Sequence, residues 1–158
     1  MTAGKIEIIE ATTAEEFVIA KALFIEYQQF LNVDLCFQQF EKELASLADM
    51  YSAPTGSLLL AVQSGKPVGC VALRYKQAQV CEMKRLYVQD RCRNSGIGKL
   101  LVQELLLKSI TLGYKKIILD TLERLSPALH VYTQFGFRDC EPYYGNPLQG
   151  VRFMQRVL

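Results

Sequence analysis

The chain has 158 residues, half of them apolar, with 18 basic and 16 acidic side chains and a formal net charge of +2. This length suits one domain with a substantial core, and so small a net charge excludes the basic surface that nucleic acid or an anionic membrane would require. The five cysteines contain no Cys-x-x-Cys pair, so we expect reduced thiols in a cytoplasmic protein, with no metal site, no secretory signal and no membrane span.

The first half of the chain predicts a strand, two helices and a meander of three strands. Thr12 to Glu15 has the pattern of a capping box, which opens a helix. Apolar residues then recur every three or four positions, first from Phe17 to Leu31 and again from Phe37 to Leu47. The three strands are predicted over residues 57–63, 67–76 and 79–88, after a first strand over 5–10.

The second half alternates helices and strands. An apolar helix is predicted over residues 97–112, closed by Gly113, and is followed by a strand over 115–121. Ser126 and Pro127 indicate the N-cap and first position of another helix, which ends at Gly136. Strands over 137–144 and 151–157 follow. We therefore expect one α/β domain over residues 1–158, with a mixed sheet of about seven strands and helices on both faces.

A glycine-rich turn between a predicted strand and helix is the most informative segment. Gly96 and Gly98 lack side chains, so an anion can approach the unpaired N–H groups and the positive end of the helix that begins at Ile97. Arg91, Arg93 and Lys99 add positive charge beside this turn. The segment predicts a pyrophosphate site, and the alternative is an ordinary strand-to-helix turn.

Two common glycine loops do not match this segment. The dinucleotide-binding fingerprint requires Gly or Ala at position 101, where the chain has Leu101. The nucleoside triphosphate loop requires glycine at position 93 and Ser or Thr at position 100, where the chain has Arg93 and Leu100. The pattern that remains is Arg-x-x-Gly-x-Gly.

Three segments together resemble the GCN5-related N-acetyltransferase superfamily. Residues 81–88, Cys-Glu-Met-Lys-Arg-Leu-Tyr-Val, are similar to its fourth strand, and residues 93–98 are similar to its acetyl-coenzyme A loop. Residues 129–137 match its Leu-x-x-Tyr-x-x-x-Gly-Phe segment, and the order of elements agrees over nearly the whole chain. The resemblance implies the fold of this superfamily, an N-acetyltransferase activity and acetyl-coenzyme A as cofactor.

The resemblance also implies where the cofactor binds. Two neighbouring parallel strands part in this superfamily, and backbone groups of Leu86 and Val88 would bond the pantetheine arm. The alternative is a fully paired interior strand whose residues only pack. The cofactor-binding residues implied in this way are Leu86, Tyr87, Val88, Arg91, Arg93, Asn94, Ser95, Gly96, Ile97, Gly98, Lys99 and Ser126. Ser126 stands where many relatives have asparagine, which puts its contact in doubt.

Two residues are candidates for catalysis. Glu82 resembles the general-base carboxylate of one branch of the superfamily, and burial could raise its pKa toward neutrality. The alternatives are a structural carboxylate paired with Lys or Arg, or a base that acts through a water chain. Tyr132 matches the tyrosine that donates to the departing thiolate, and the alternative is a core tyrosine. His130 lies about 200° away from Tyr132 around a helix, so a catalytic role for it is not expected.

The acceptor is poorly specified by sequence. Tyr27, Phe30, Tyr143 and Asn146 are predicted substrate-binding residues, with Asp34 and Tyr144 nearby, because acidic and aromatic groups suit a cationic amine. The predicted reaction transfers acetyl directly to a primary amine of a small molecule or amino acid derivative. A protein lysine or N-terminal acceptor, or a non-catalytic acyl-coenzyme A binding module, are the alternatives. Exposed strand edges near the C-terminus would permit a homodimer.

Overall fold

The computed structural model describes residues 4–158, which form one mixed sheet with helices on both faces. The strands of this part of the chain are β1 Ile6–Glu10, β2 Ser57–Gln63, β3 Lys66–Gln77, β4 Val80–Val88, β5 Lys116–Leu122, β6 Arg138–Asp139 and β7 Val151–Val157. The α-helices are α1 Ala14–Leu31, α2 Phe40–Ala45, α3 Leu47–Met50, α4 Ile97–Thr111 and α5 Ser126–Gln134, and short 3₁₀ turns cover Cys36–Gln38 and Asp90–Cys92.

The sheet has the spatial order β1-β2-β3-β4-β5-β7-β6, and β4 with β5 is its parallel pair. That pair is short. It joins residues 80–82 of β4 to residues 116–118 of β5, ending at Glu82 opposite Ile118. β5 continues paired with β7 to Leu122, and β4 continues paired with β3 to Val88. The two parallel strands therefore part beyond Glu82, as the resemblance implied.

Two apolar layers cover the sheet, one on each face. Leu59 and Ala61 of β2 pack on the face covered by α4 and α5, whereas Leu58 and Leu60 pack on the face covered by α1. This alternation is the two-residue period of a strand that is buried on both sides. The α4 face buries Leu101 and other residues of that helix.

Local signals place most elements within one or two residues of their predicted bounds. The capping box is one residue later than predicted: Thr13 is the N-cap of α1, its hydroxyl accepts from Glu16 N at 3.2 Å, and Glu16 Oε1 accepts from Thr13 N at 3.0 Å. The N-cap of α5 is Leu125 rather than Ser126, so Ser126 is the first helical residue.

Two predicted elements are wrong in extent. The second predicted helix is instead a 3₁₀ turn followed by α2 and α3, because Gln39 adopts a left-handed conformation (φ 57°) and Ser46 leaves helical geometry. The predicted strand over 137–144 shrinks to the two residues of β6. Beyond it the chain leaves β7, and its aromatic side chains bond to groups on β4 and β5 instead.

Within residues 4–158, no helix combines the length and the apolar run that crossing a membrane requires.

Candidate active site

The glycine turn forms the start of α4, as predicted. Gly96 is the N-cap, with φ 84°, and the first helical hydrogen bond runs from Leu100 N to Gly96 O at 3.1 Å. The N–H groups of Ile97, Gly98 and Lys99 therefore precede the first bond of the helix and lie at the positive end of its dipole. They form a site suited to a phosphate group.

The space in front of this turn is open. A Cβ atom added at Gly96 would have no heavy atom within 4 Å, and one at Gly98 would meet only Val88 Cγ2, at 3.8 Å. A ligand can therefore approach both glycines closely. The left-handed backbone of Gly96 is one that glycine adopts without strain, whereas the backbone of Gly98 is not left-handed.

Arg93 has a structural role in the turn that the sequence did not reveal. Its Nε donates to Val88 O at 3.1 Å, its Nη1 contacts Asp90 Oδ1 at 2.7 Å, and its guanidinium carbon lies 4.1 Å from the centre of the Phe30 ring. These contacts fasten the turn to the end of β4 and to α1. Arg93 adds positive charge near the predicted phosphate site, and its Nε and Nη1 are engaged in these contacts while its Nη2 makes no hydrogen bond within residues 4–158.

The other polar residues of the turn are exposed and bond locally. Arg91 donates to Gln89 Oε1 at 3.0 and 3.3 Å, and the Ser95 hydroxyl donates to Cys92 O. Asn94 has a left-handed conformation (φ 63°) and Lys99 faces solvent.

The opening between β4 and β5 starts beside this turn. Gln89 N donates to Val68 O on the β3 side at 2.8 Å, so the alternation of an antiparallel ladder turns the backbone groups of Val88 and Leu86 away from β3. Val88 O is occupied by Arg93, while Tyr87 packs on the α1 face against Phe30.

A cavity runs through the sheet where the strands part. Residues of β4 and β5 form two of its walls, α1 and the segment after it form a third, and α5 with the loop before β7 forms the rest. The lining residues that the site uses are Tyr27, Gln38, Lys84, Arg85, Leu86, Asp120, Tyr132 and Asn146. The cavity is therefore lined by residues from both faces of the sheet.

Tyr132 contributes a free hydroxyl to this cavity. The side chain is 6% exposed and packs edge-on against Phe137, with ring centres 5.7 Å apart. Within residues 4–158, its hydroxyl makes no hydrogen bond. Burial raises the pKa of Tyr132, and the nearby Tyr27 and Asp120 raise it further, so the hydroxyl stays protonated and can donate.

Two other α5 residues lie outside the cavity. Ser126 and His130 are both exposed, and neither is among the cavity-lining residues.

Glu82 is a paired carboxylate. It is 1% exposed, its Oε1 accepts from Arg74 Nε and Nη2 at 2.8 Å each, and its Oε2 accepts from the Tyr143 hydroxyl at 2.7 Å. Burial alone would raise the pKa of Glu82, but Lys84, Arg74 and the Tyr143 hydrogen bond together lower it. The expected rise of this pKa toward neutrality is therefore wrong. The contacts of Glu82 instead match the alternative prediction, a structural carboxylate paired with a basic side chain.

The predicted acceptor residues separate into two groups. Tyr27 and Asn146 line the cavity, and Tyr143 stands beside it, bonded to Glu82. Phe30 does not line it, because its ring packs under Arg93 at the glycine turn.

A β-bulge brings two cations to the cavity that the sequence did not single out. Arg85 has φ 61°, and the β3–β4 register shifts between Cys70 and Ala72. Lys84 and Arg85 therefore both point to the α1 face, where both donate to Gln38 Oε1, at 3.4 and 2.7 Å. The signal that could have found them is the run Glu-Met-Lys-Arg inside an otherwise apolar strand.

Arg85 is fully paired. Its Nε and Nη2 donate to the two carboxylate oxygens of Glu43 at 2.9 and 2.7 Å, and the two side chains are 3% and 2% exposed. This buried bidentate pair fastens α2 to β4.

Asp120 gathers the polar groups of the opposite wall. Its Oδ2 accepts from the Tyr144 hydroxyl, from Asn146 Nδ2 at 2.8 Å and from Gln38 Nε2 at 3.4 Å. Tyr144 and Asn146 are brought there by the chain that leaves β6, which is why that strand ends so early.

Within the described part of the chain, no three His, Cys, Asp or Glu side chains come together as a metal site.

A seven-stranded mixed sheet whose parallel pair parts beside a glycine-capped helix defines the acyl-coenzyme A N-acyltransferase class. A family model described as "Acetyltransferase (GNAT) family" matches residues 21–137, and the chain belongs to that family and is an N-acetyltransferase. Members of this family use acyl-coenzyme A as the acyl donor.

Relatives agree with this assignment. An uncharacterized N-acetyltransferase of Schizosaccharomyces pombe is 43% identical over 137 residues, which cover 85% of this chain and 84% of that protein. The N-acetylaspartate synthetase of Homo sapiens is 32% identical over 98 residues, which cover 61% of this chain but 32% of that protein. The crystal structure of a GNAT-family acetyltransferase from Staphylococcus aureus Mu50 has the same fold, with a TM-score of 0.79, 22% identity, and coverage of 97% of this chain and 99% of that chain.

The variant Glu82→Gln decides whether Glu82 is the general base. Because its pKa is lowered, Glu82 stays ionised through the neutral range, and the acid limb of the pH–kcat profile should persist in the variant. We expect a loss of kcat below about 10-fold, against the 10²–10⁴-fold that loss of a general base typically costs. Unfolding free energy should fall by about 1–2 kcal/mol, because Arg74 loses a charged partner.

Exposed Glu141→Gln is the control and should change neither quantity. A loss of 100-fold or more, together with disappearance of the acid limb, would restore Glu82 as the base.

Lys84 is expected to reduce the stability of the protein. Burial, followed by the charge of Arg85, lowers the pKa of Lys84 from 10.5 to about 8. The unfolded chain then binds more protons than the folded protein between pH 8 and 10.5, so Lys84 makes stability rise with pH across that window. At pH 7, Lys84→Met should increase the unfolding free energy by on the order of 2–3 kcal/mol.

Thermal melts at pH 7 and pH 9.5 would measure this effect, with exposed Lys115→Met as control. The gain from Lys84→Met should shrink at the higher pH. A variant that is less stable than the wild type at pH 7 would show that Lys84 is a structural cation.

Proposed function

We propose that the protein transfers an acetyl group from acetyl-coenzyme A to the primary amine of a small molecule or amino acid derivative, by direct attack in a ternary complex. The observation that carries this proposal is the cavity where the two strands part, which contains the free Tyr132 hydroxyl, together with the helix start, suited to a phosphate, that follows the end of β4.

The cofactor would lie along the opening. Its pyrophosphate would bind the N–H groups of Ile97, Gly98 and Lys99. Its pantetheine arm would follow the edge of β4 at Leu86 and Val88, where Arg93 already occupies the Val88 carbonyl and leaves the Val88 N–H for the arm. These contacts would bring the thioester into the cavity, next to Tyr132. Arg93 would support the site by holding the turn in place.

The chemistry follows from this placement. The amine nitrogen attacks the thioester carbonyl, the C–N bond forms, and the C–S bond breaks. The amine loses one proton to a carboxylate or water of the α1 face, and the thiolate gains one. Tyr132 would donate a hydrogen bond to sulfur as it leaves, which stabilises the charge that develops there.

Two observations favour a small acceptor over a protein lysine or N-terminus. The cavity is walled by β4, β5, α1, α5 and the loop before β7, and a concave site built from several elements in this way is typical of small-molecule binding. A relative named N-acetylaspartate synthetase acts on an amino acid, so we include amino acids among the acceptors. Catalysis is favoured over simple acyl-coenzyme A binding because Tyr132 leaves a donor unused inside the cavity. The homodimer that the strand edges permit stays a prediction.

Gly98→Glu tests the pyrophosphate site. Its Cβ fits the space, so the variant should fold, but its carboxylate would stand where the phosphate binds. At coenzyme A concentrations about 100 times the wild-type dissociation constant, the wild type should gain about 2.7 kcal/mol of stability and the variant should gain none.

Gly98→Gln is the uncharged control and should keep part of the gain. Full stabilisation of Gly98→Glu by coenzyme A, or stabilisation of the wild type by ATP or NAD but not by coenzyme A, would reject this cofactor site.

Tyr132→Phe tests the hydrogen bond that Tyr132 would donate to the leaving sulfur. Removing the hydroxyl should lower kcat by about 100-fold and leave coenzyme A affinity nearly unchanged. Tyr114→Phe is a matched control, because that buried hydroxyl bonds to Thr55 O and does not line the cavity. An unchanged kcat for Tyr132→Phe at every pH would remove Tyr132 from the mechanism.

A further inference from the structure

The charged side chains on the α1 face of the opening form two closed pairs. Arg74 contacts Glu82 at 2.8 Å, and Arg85 contacts Glu43 at 2.7 Å. A buried charge is tolerated when an opposite charge compensates it at short range. These four residues therefore satisfy one another and need no ligand.

Among the charged residues that line the cavity, Arg85 belongs to one of these pairs, whereas Lys84 and Asp120 belong to neither. Within residues 4–158, neither belongs to an ion pair, although the charges of Glu82 and Asp120 both favour the charged form of Lys84 and so raise its pKa against the larger effects of burial and Arg85. Both line the cavity. Met83 and Leu119 pack on the opposite face, so the strand alternation places Lys84 on β4 and Asp120 on β5, on the same face of the sheet.

The unused bonding capacity of Lys84 faces the cavity. The residue is 5% exposed, and its ammonium group makes one hydrogen bond in the described chain, a long one of 3.4 Å to Gln38 Oε1, which Arg85 already occupies at 2.7 Å. An ammonium group has three donors, so two are left without an acceptor. A buried cation with open donors is a site for an anionic group.

Asp120 has an unused hydrogen-bond acceptor that complements the unused donors of Lys84. Its Oδ2 accepts from Tyr144, Asn146 and Gln38, whereas its Oδ1 accepts no hydrogen bond within residues 4–158. Because the three donors to Oδ2 hold the carboxylate in place, its Oδ1 is positioned to bind a cation or an amine N–H.

We propose that the acceptor is a free amino acid, whose carboxylate binds Lys84 and whose amine binds Asp120. This inference rests on the proposed function and names the substrate class of the same site. A free amino acid carries one negative and one positive group on a short skeleton, which is the complement of an unpaired cation and an unpaired anion across one cavity. A polyamine would bring a second cation to Lys84, and a lysine inside a protein has no carboxylate to offer it.

The binding mode also positions the amine for reaction. Asp120 follows Leu119 on β5, and the thioester would lie between that strand and β4, with Tyr132 on the far side. Lys84 would fix one end of the acceptor and Asp120 would hold the nitrogen, which limits the orientations that the amine can adopt.

The first experiment compares glycine and the L-amino acids that have a primary amine with their α-carboxamides as acceptors, with formation of the acetylated product as the readout. For the best amino acid, kcat/KM should exceed that of its carboxamide by about 100-fold, because the carboxamide leaves Lys84 buried without an anion. The amine of an α-carboxamide is less basic than that of the amino acid, so more of it is unprotonated at neutral pH. Intrinsic reactivity would therefore favour the carboxamide, and a preference for the amino acid must come from binding. Equal kcat/KM values for acid and carboxamide would overturn the inference.

The second experiment repeats the comparison with three variants. In Lys84→Met the ratio of the two kcat/KM values should fall to about one, a change that a merely structural role would not produce. In Asp120→Asn both values should fall while the ratio persists, because the amine is common to both substrates. Exposed Lys115→Met should keep the wild-type ratio. A ratio that survives in Lys84→Met, or an unchanged pair of values in Asp120→Asn, would contradict the assignment.

Different results would overturn the acetyltransferase activity and the amino acid specificity. A wild type that acetyl-coenzyme A does not stabilise would overturn the proposed function. A wild type that acetyl-coenzyme A stabilises and that acetylates simple alkylamines or lysine peptides, but no free amino acid, would overturn this inference alone.

Discussion

The shortness of the parallel pairing between β4 and β5 is the constraint on which the site depends. Three residues of each strand pair, and beyond Glu82 and Ile118 each strand follows a different partner. A sheet interrupted in this way leaves backbone groups that must find another partner. Val88 O accepts a hydrogen bond from Arg93. The rest of the unpaired edge of β4 borders a cavity that is lined from both faces of the sheet. The cofactor and acceptor proposals both use this one opening, from opposite faces.

The α1 face of the opening is charged, and these charges oppose stability as much as they serve function. Arg85 adopts a left-handed conformation in the middle of a strand, and that bulge turns two successive cations to one side. The ion pair with Glu43 offsets the desolvation of Arg85, but Lys84 forms no ion pair with a carboxylate within residues 4–158. A buried, unpaired cation that burial disfavours is typical of a binding site, where the ligand supplies the missing charge.

Local sequence signals predicted the features that depend on neighbouring residues. The glycine turn at Gly96 and Gly98, the helix that follows it, and every predicted strand except the one over 137–144 arise from spacing along the chain and agree with the structure. What could not be predicted depends on partners far apart in sequence. Burial would raise the pKa of Glu82, but Lys84, Arg74 and Tyr143 lower it, and Tyr143 is available only because the chain leaves the sheet after the two residues of β6. The unpaired state of Lys84 depends on how Gln38 and Arg85 are placed, which no periodicity reveals.

A crystal structure of the protein with coenzyme A and the best amino acid acceptor would test the central claim most directly. The account predicts the pyrophosphate against the first turn of α4, the pantetheine arm between β4 and β5, the sulfur beside the Tyr132 hydroxyl, and the amino acid carboxylate in contact with Lys84. Coenzyme A bound elsewhere on the surface, with the opening between the strands empty, would contradict it.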